Sequence, residues 1–392
     1  MIFRFLTSGE SHGKCLNAII EGVPSGIAID INFINNELAR RQTGYGRGGR
    51  MLIENDTVQI LSGIRLGKTT GAPICLQIEN KDWQNWNIPM SSHEIELTPE
   101  NIELLNSKTI KNVRPGHADL AGALKYNHSD IRNILERSSA RETAARVAVG
   151  AIAKCILKEF DINCISTVTQ IGNIKADIPD NIFEHKDKIE NNDLRVADDN
   201  AYTLIKQEID KVKEEGDTLG GSFKVIFENV PVGLGSFVHW DRKIDGQLAQ
   251  AIMSIQAVKS VEIGAGSSCA NIKGSNFHDE IFSADNRFYR KTNNAGGIEG
   301  GMTNGEDIVI TASMKPIPTM RKPLNSVNID TKENVQAHFE RSDTCAVPAC
   351  AVVAEAMAAI VIADNMLEKF SHDSISEMQA NYENYIKQIS ER

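Results

Sequence analysis

The chain has 392 residues, more than the roughly 250–300 over which a single hydrophobic core usually grows, so it forms either two domains or one large layered one. A hydrophobic fraction of 41% and a charged fraction of 24% are those of a globular protein and exclude a disordered or fibrous class. The net charge of −10 disfavours a general binder of nucleic acid or anionic membrane, because both need a summed positive field.

In chain order, Met1–Leu6 is apolar but carries Arg4 and soon reaches Thr7-Ser8-Gly9, which is too short for a signal-peptide core. After this short strand, Gly9-Glu10-Ser11-His12-Gly13 sets a serine and a histidine in a glycine-flanked loop. Glycines let such a loop approach a ligand, and a loop histidine can give up a proton at neutral pH. The spacing is not that of a hydrolase nucleophile elbow. The run Arg40–Arg50 then holds four arginines and no acid, a local basic patch suited to a small anion. Arg114-Pro115-Gly116-His117-Ala118-Asp119 is an enforced turn carrying a guanidinium, an imidazole and a carboxylate.

Arg137-Ser138-Ser139 precedes a predicted helix, where free amides, hydroxyls and a guanidinium make a phosphate site. Ser139-x-x-Glu142 has the capping-box pattern. The following run, Thr143 to Leu157, is apolar on nearly every face apart from Arg146 and Lys154, which predicts a buried helix. Lys175 to Gly216 is acidic and polar, with an amphipathic helix near Leu204 to Val212, and reads as a peripheral excursion. Phe223, Val225 and Phe227 alternate as in a strand, and Asp241 to Lys259 carries Leu248, Ile252 and Ile255 at helical spacing.

The glycine loop Asn294–Gly305 leads into a strand, not a helix, so it fails the context of a dinucleotide fingerprint or P-loop. That strand, Ile308 to Met314, again alternates, and Lys315-Pro316-Ile317-Pro318-Thr319 ends it stiffly. Glu340-Arg341-Ser342-Asp343 opens the last apolar helix, with Ser342, Asp343 and Thr344 as candidate caps and Pro348 in its first turn. Its most membrane-like window, Ala346 to Asn365, is broken by Pro348, Glu355 and Asp364, so a soluble, unexported chain is expected. The seven cysteines, Cys15, Cys75, Cys155, Cys164, Cys269, Cys345 and Cys350, form no C-x-x-C pair and read as reduced, mostly buried thiols of a cytoplasmic protein. Alternating strands with one polar face indicate antiparallel sheets, and apolar helices need covering on all sides. The expected class is therefore α+β, with buried helices sandwiched between antiparallel sheets.

These pieces in this order resemble chorismate synthase. The residues that carry the resemblance are GESHG at Gly9–Gly13, RRQTGYGRGGRM at Arg40–Met51, RPGHAD at Arg114–Asp119 and RSSARETAARVAVGA at Arg137–Ala151. They continue with SIQAVKSVEIG at Ser254–Gly264, AGGIEGGMTNG at Ala295–Gly305, KPIPT at Lys315–Thr319 and RSD at Arg341–Asp343.

The resemblance implies one β-α-β sandwich domain over residues 1–392, a homotetramer, and a lyase that eliminates phosphate from 5-enolpyruvylshikimate 3-phosphate to give chorismate. It implies reduced FMN as cofactor, with NADPH as a possible reductant. By position, Arg137, Ser138, Ser139, Gln256, Ala257, Gly300, Lys315, Pro316, Ile317, Pro318, Thr319 and Arg341 would line the flavin. Arg41 and Arg47 would hold substrate anions and are also associated with NADPH. The resemblance makes His12, beside Ser11, the acid at the departing phosphate, His117 the charge partner of the reduced flavin, and Asp343 an aid to proton movement. No metal is implied. Two other readings stay open. One is a flavin oxidoreductase reduced by nicotinamide, against which the missing dinucleotide fingerprint counts. The other is an RGG-type nucleic-acid segment at Gly46–Arg50, of which there is one copy on an acidic chain.

Overall fold

The computed structural model describes residues 2–48, 56–284, 287–340, 343–371 and 373–391. Two antiparallel sheets enclose a layer of helices. The first has the strand order Arg4–Ser8, Cys15–Glu21, Ile74–Glu79, Val58–Ser62. Its alternation is clear along Cys15–Glu21, where Leu16, Ala18 and Ile20 are buried while Ile19 and Glu21 face out. The second runs Val258–Ile263, Ile308–Met314, Gly221–Glu228, Asn163–Ile171, Ile174–Lys175.

The helix Thr143–Lys158 packs on the first sheet and against the helix Val347–Phe370, which in turn packs on the second sheet. This is the expected α+β sandwich, with the apolar runs of both helices covered on every side. The helices approach closely because Gly150 faces Ala356. A Cβ at position 150 would lie 2.6 Å from the Ala356 Cα. Ile31–Gln42 packs beside both helices of the pair, and Ile244–Met253 packs against Val347–Phe370. Val347–Phe370 is long and apolar enough to cross a membrane, but its apolar stretch is wholly buried inside the protein.

Several local expectations change. Ser139 Oγ accepts from the backbone N of Arg141, capping a short 3-10 turn at Ala140–Glu142, and Glu142 turns instead to Thr7, Arg146 and Gln256. The reciprocal capping box does not form, because tertiary partners take the carboxylate. Val347–Phe370 is capped by Ala346 without a side-chain bond, and a further helix, Ile375–Ser390, follows it, capped by Ser374 Oγ accepting from the Glu377 N. The Asp241–Lys259 stretch is helical only over Ile244–Met253, and Lys259 already lies in a strand. All seven cysteines are free, as expected, but only Cys155, Cys345 and Cys350 are buried, whereas Cys269 is exposed.

The alternation of Phe223, Val225 and Phe227 puts Lys224, Ile226 and Glu228 on the other face of the strand, where a solvated position is expected for Ile226. It is buried instead, because Ile182 and Ile189 of the acidic excursion pack over that face with Ile165. The excursion's main helix, Asp199–Glu215, buries Ala201, Ile205, Ile209 and Val212. A separate small core of Ile110, Val113, Ala123, Ile131, Ile134 and Leu135 lies apart from the main one.

Candidate functional site

A cleft of about 580 Å³ opens between the two cores, at the N-terminal ends of the central helices. Its walls come from distant segments: Ser11 and His12, Arg41 with Arg47 and Gly48, Arg114 with His117, Ser138 to Arg141, Ile255 to Ala257, Lys315 with Ile317 to Thr319, and Asp343 with the first turns of Val347–Phe370.

His12 sits on the loop leaving the first strand of the chain, and its position is over-determined. Its backbone N donates to Glu136 Oε2 at 2.7 Å, and its Nδ1 stands 2.9 Å from Glu136 Oε1. The ring stacks on Trp86 with centroids 3.9 Å apart, and Trp86 Nε1 donates to Asp82 Oδ2 at 2.9 Å. Asn80 Nδ2 holds the loop by donating to the carbonyls of Ser11 and Gly13, each at 3.0 Å. Burial would raise the Glu136 carboxyl, but hydrogen bonds from His12 and the charges of His12 and Arg132 leave it below the usual range. It is therefore a carboxylate at neutral pH, and it orients the ring by occupying Nδ1.

His117 is held in the same manner. Its Nδ1 lies 2.6 Å from Oδ1 of the fully buried Asp119. Arg114 grips that carboxylate with Nε at 2.8 Å and Nη2 at 2.9 Å, and donates from Nη1 to Thr319 Oγ1 at 3.3 Å. Burial opposes ionisation of Asp119, but the bonds from His117 and Arg114 win and hold it well below the carboxylate range. Gly116, at φ +78°, turns the chain so that its carbonyl accepts from Lys315 Nζ. Burial, aided by the nearby Lys259, lowers the Lys315 ammonium.

The arginines are anchored within the cleft wall. Arg41 Nε donates to Thr143 Oγ1 at 3.0 Å, and its Nη1 lies 3.6 Å from Asp56, which also takes Arg141 Nη1 at 2.6 Å. Arg47 Nε pairs with Asp343 Oδ2 at 3.1 Å, while Asp343 Oδ1 accepts from the Gly48 N at 2.6 Å. Arg41, Arg47, Arg114, Arg141 and Lys315 thus line one cleft together with Glu340 and Asp343, an excess of cationic side chains in its lining on an acidic protein. Leu135, Ile255, Met314, Ile317 and Val353 supply the apolar part of the lining.

Of the residues singled out in the sequence, the cleft gathers Ser11, His12, Arg41, Arg47, His117, Ser138, Ser139, Gln256, Ala257, Lys315, Ile317, Pro318, Thr319 and Asp343. Arg137 turns away to bond the Thr7 and Gly9 carbonyls, and Ser138 Oγ donates to the Ile134 carbonyl. Pro316 and Gly300 are not among its described walls. Gly300 sits in the tight turn between Ile298–Glu299 and Met302–Thr303. Arg341 lies outside the described residues. Sequence reasoning missed Glu136, Trp86, Arg141 and Glu340. Arg141 and Glu340 lay inside quoted motifs, whereas no sequence signal pointed to Trp86 or Glu136.

A cleft with clustered guanidinium groups and two carboxylate-backed histidines is the site of an enzyme acting on a small anionic molecule. A family model described as chorismate synthase matches residues 3–367. The chorismate synthase of Geotalea uraniireducens is 54% identical over 394 residues, covering 98% of each chain. That of Desulforamulus reducens is 54% identical over 394 residues, covering 99% of this chain and 100% of its own. A solved structure described as the crystal structure of chorismate synthase superposes with a TM-score of 0.80 at 42% identity, covering 100% of this chain and 99% of that one. The chain belongs to the chorismate synthase family and is a lyase.

Proposed function

We propose that this enzyme eliminates phosphate from 5-enolpyruvylshikimate 3-phosphate in a 1,4-anti sense, breaking one C–O and one C–H bond to give chorismate in the shikimate pathway. The observation that carries the reading is the pairing of His12 and His117, each backed by a buried carboxylate, across a cleft lined by Arg41, Arg47, Arg114 and Arg141. The substrate has two carboxylates and a phosphate, groups that guanidinium forks bind bidentately. His12, its ring oriented by Glu136, would protonate the departing phosphate, with Ser11 beside it. His117 and Asp343 hold charge and protons on the far wall.

Reduced FMN, when bound, supplies the transient electron donation that no side chain can. The cleft suits it: the apolar wall of Leu135, Ile255, Met314 and Ile317 can face a flat ring, and Ser138, Ser139, Gln256, Lys315 and Thr319 offer polar contacts beside it. Ala257 and Pro318 complete that wall, and Arg137 and Arg341 are assigned to the flavin by resemblance alone. Gly300 and Pro316 are assigned to the flavin by resemblance. NADPH would serve only as a reductant, near Arg41 and Arg47. We also propose a single chorismate synthase-like domain over 1–392, a homotetramer and a cytoplasmic location.

The test is anaerobic. Protein, photoreduced FMN and substrate are mixed, and chorismate absorbance and released phosphate are followed. Equimolar chorismate and phosphate support the reading, and repetition with oxidised FMN and NADPH reports self-reduction. Failure to form either product, with authentic substrate, rejects it.

A further inference from the structure

The acidic excursion contributes no wall to the cleft, yet it touches both ends of the segment that carries the cleft's arginines. At one end, Arg40, in the last turn of Ile31–Gln42, is gripped by Glu190 through Nε at 2.8 Å and Nη2 at 2.6 Å. Arg195 holds the same carboxylate from the other side at 2.9 Å and 2.8 Å. Arg40 also reaches Glu37 and the fully buried Glu355, which Lys154 joins at 2.6 Å. Arg41 is the next residue, so fixing Arg40 fixes the direction from which Arg41 enters the cleft.

At the other end, the Tyr45 N donates to the Asp193 carbonyl at 2.9 Å, and the Tyr45 hydroxyl bonds the Asp210 carboxylate at 2.7 Å. Lys206 Nζ sits 4.2 Å over the Tyr45 ring. Gly46, at φ +84°, is pressed against Ile209, whose Cγ2 would lie 3.0 Å from a Cβ there. On the opposite side, the Gly46 carbonyl accepts from the Thr344 N at 2.8 Å, directly after Asp343, the partner of Arg47.

We propose that residues 190–210 brace the arginine segment, with Glu190 through Arg40 and Asp210 through Tyr45 acting as positioning residues for Arg41 and Arg47. The inference rests on the reading of those two arginines as the holders of substrate anions. Displacing a guanidinium fork by a fraction of its bond length weakens bidentate contact without touching the proton-transfer groups. The signature is therefore a change in KM with little change in kcat.

Tyr45→Phe removes the hydroxyl bond of this brace and Asp210→Asn strips its charge, and circular dichroism confirms that each variant folds. Each should raise KM for 5-enolpyruvylshikimate 3-phosphate by about three- to tenfold, with kcat within about twofold. Asp210→Glu should restore most of the loss. Arg47→Ala should raise KM further, and Asp210→Asn added to Arg47→Ala should do nothing more, because both act through one group. Lys188→Ala, which breaks the exposed pair with Asp199 in the same excursion, should leave KM unchanged. A wild-type KM for both Tyr45→Phe and Asp210→Asn, with Arg47→Ala impaired, overturns the brace and leaves the anion reading intact. A wild-type KM for Arg41→Ala and Arg47→Ala overturns the anion reading, and the brace with it.

Discussion

Glu136 holds His12 at two atoms at once, its Oε2 taking the backbone N at 2.7 Å and its Oε1 lying 2.9 Å from Nδ1. One carboxylate therefore sets both the loop's path and the ring's orientation, and the Trp86 face fixes the ring plane. His12→Ala should lower kcat by about 10²–10⁴-fold, the usual range for a lost general acid. Glu136→Gln keeps the shape but not the charge, and should lower kcat by a smaller factor of about 10–10². Single-turnover rates under anaerobic conditions decide this, and near-wild-type turnover in His12→Ala would remove that residue from the mechanism.

Asp119 ties Arg114 and His117 together in a fully buried site. Asp119→Ala leaves the Arg114 guanidinium without its main counter-charge and should destabilise the fold by about 3–5 kcal/mol. His117→Ala, removing a half-buried ring, should cost little stability but most of the turnover. Urea midpoints measured beside rates separate the two effects.

Acid should weaken the fold through Glu190 and Glu340. Burial opposes their ionisation, but Arg195 and Arg40 hold the first, and His338 with Arg132 the second, at about 2. In the unfolded chain both protonate near 4.5. Their stabilisation is thus complete above that value and is lost progressively as the pH falls towards 2. Urea midpoints should fall below that threshold, and Glu190→Gln should flatten the slope. An identical slope in Glu190→Gln would contradict this assignment.

Burial pushes the thiols of Cys155 and Cys350 up to about 12 and that of Cys345 to about 11, so none is a thiolate at neutral pH. Iodoacetamide at pH near 8 should label exposed Cys269 first and the three buried thiols only after unfolding. Peptide mass spectrometry reads the order directly.

Gly150→Ala sets two opposing effects against each other. Alanine favours the helix by about 1 kcal/mol. The new methyl, however, would sit 2.6 Å from the Ala356 Cα, where backbone cannot yield cheaply. Overpacking costs about 1–3 kcal/mol, so the variant should melt at lower temperature than the parent.

Much of this architecture is legible in the chain because it depends on local periodicity. Thr143–Lys158 and Val347–Phe370 declare burial by being apolar all round, and Ile308–Met314 declares a one-sided sheet by alternation. The histidine loops are legible because glycine and proline leave few packing reasons for an imidazole there. Partnerships across the fold are not. Nothing in the residues near Glu136 shows that it meets His12, and the Ser139–Glu142 pattern misleads because Thr7, Arg146 and Gln256 claim the glutamate. The excursion reads as peripheral because Glu190 and Asp210 look like ordinary surface acids until Arg40 and Tyr45 arrive beside them.

The cleft lies on the seam between two separately packed cores, and its polar contacts span long stretches of chain: 124 residues from His12 to Glu136, 205 from Arg114 to Thr319 and 295 from Gly48 to Asp343. Such loops close slowly, because ordering entropy is spent before the contacts form. Helices, built from local contacts, can therefore form in a refolding chain before the site is assembled. Recovered activity, which requires all of these contacts at once, is therefore a stricter measure of the native state than any spectroscopic signal of secondary structure.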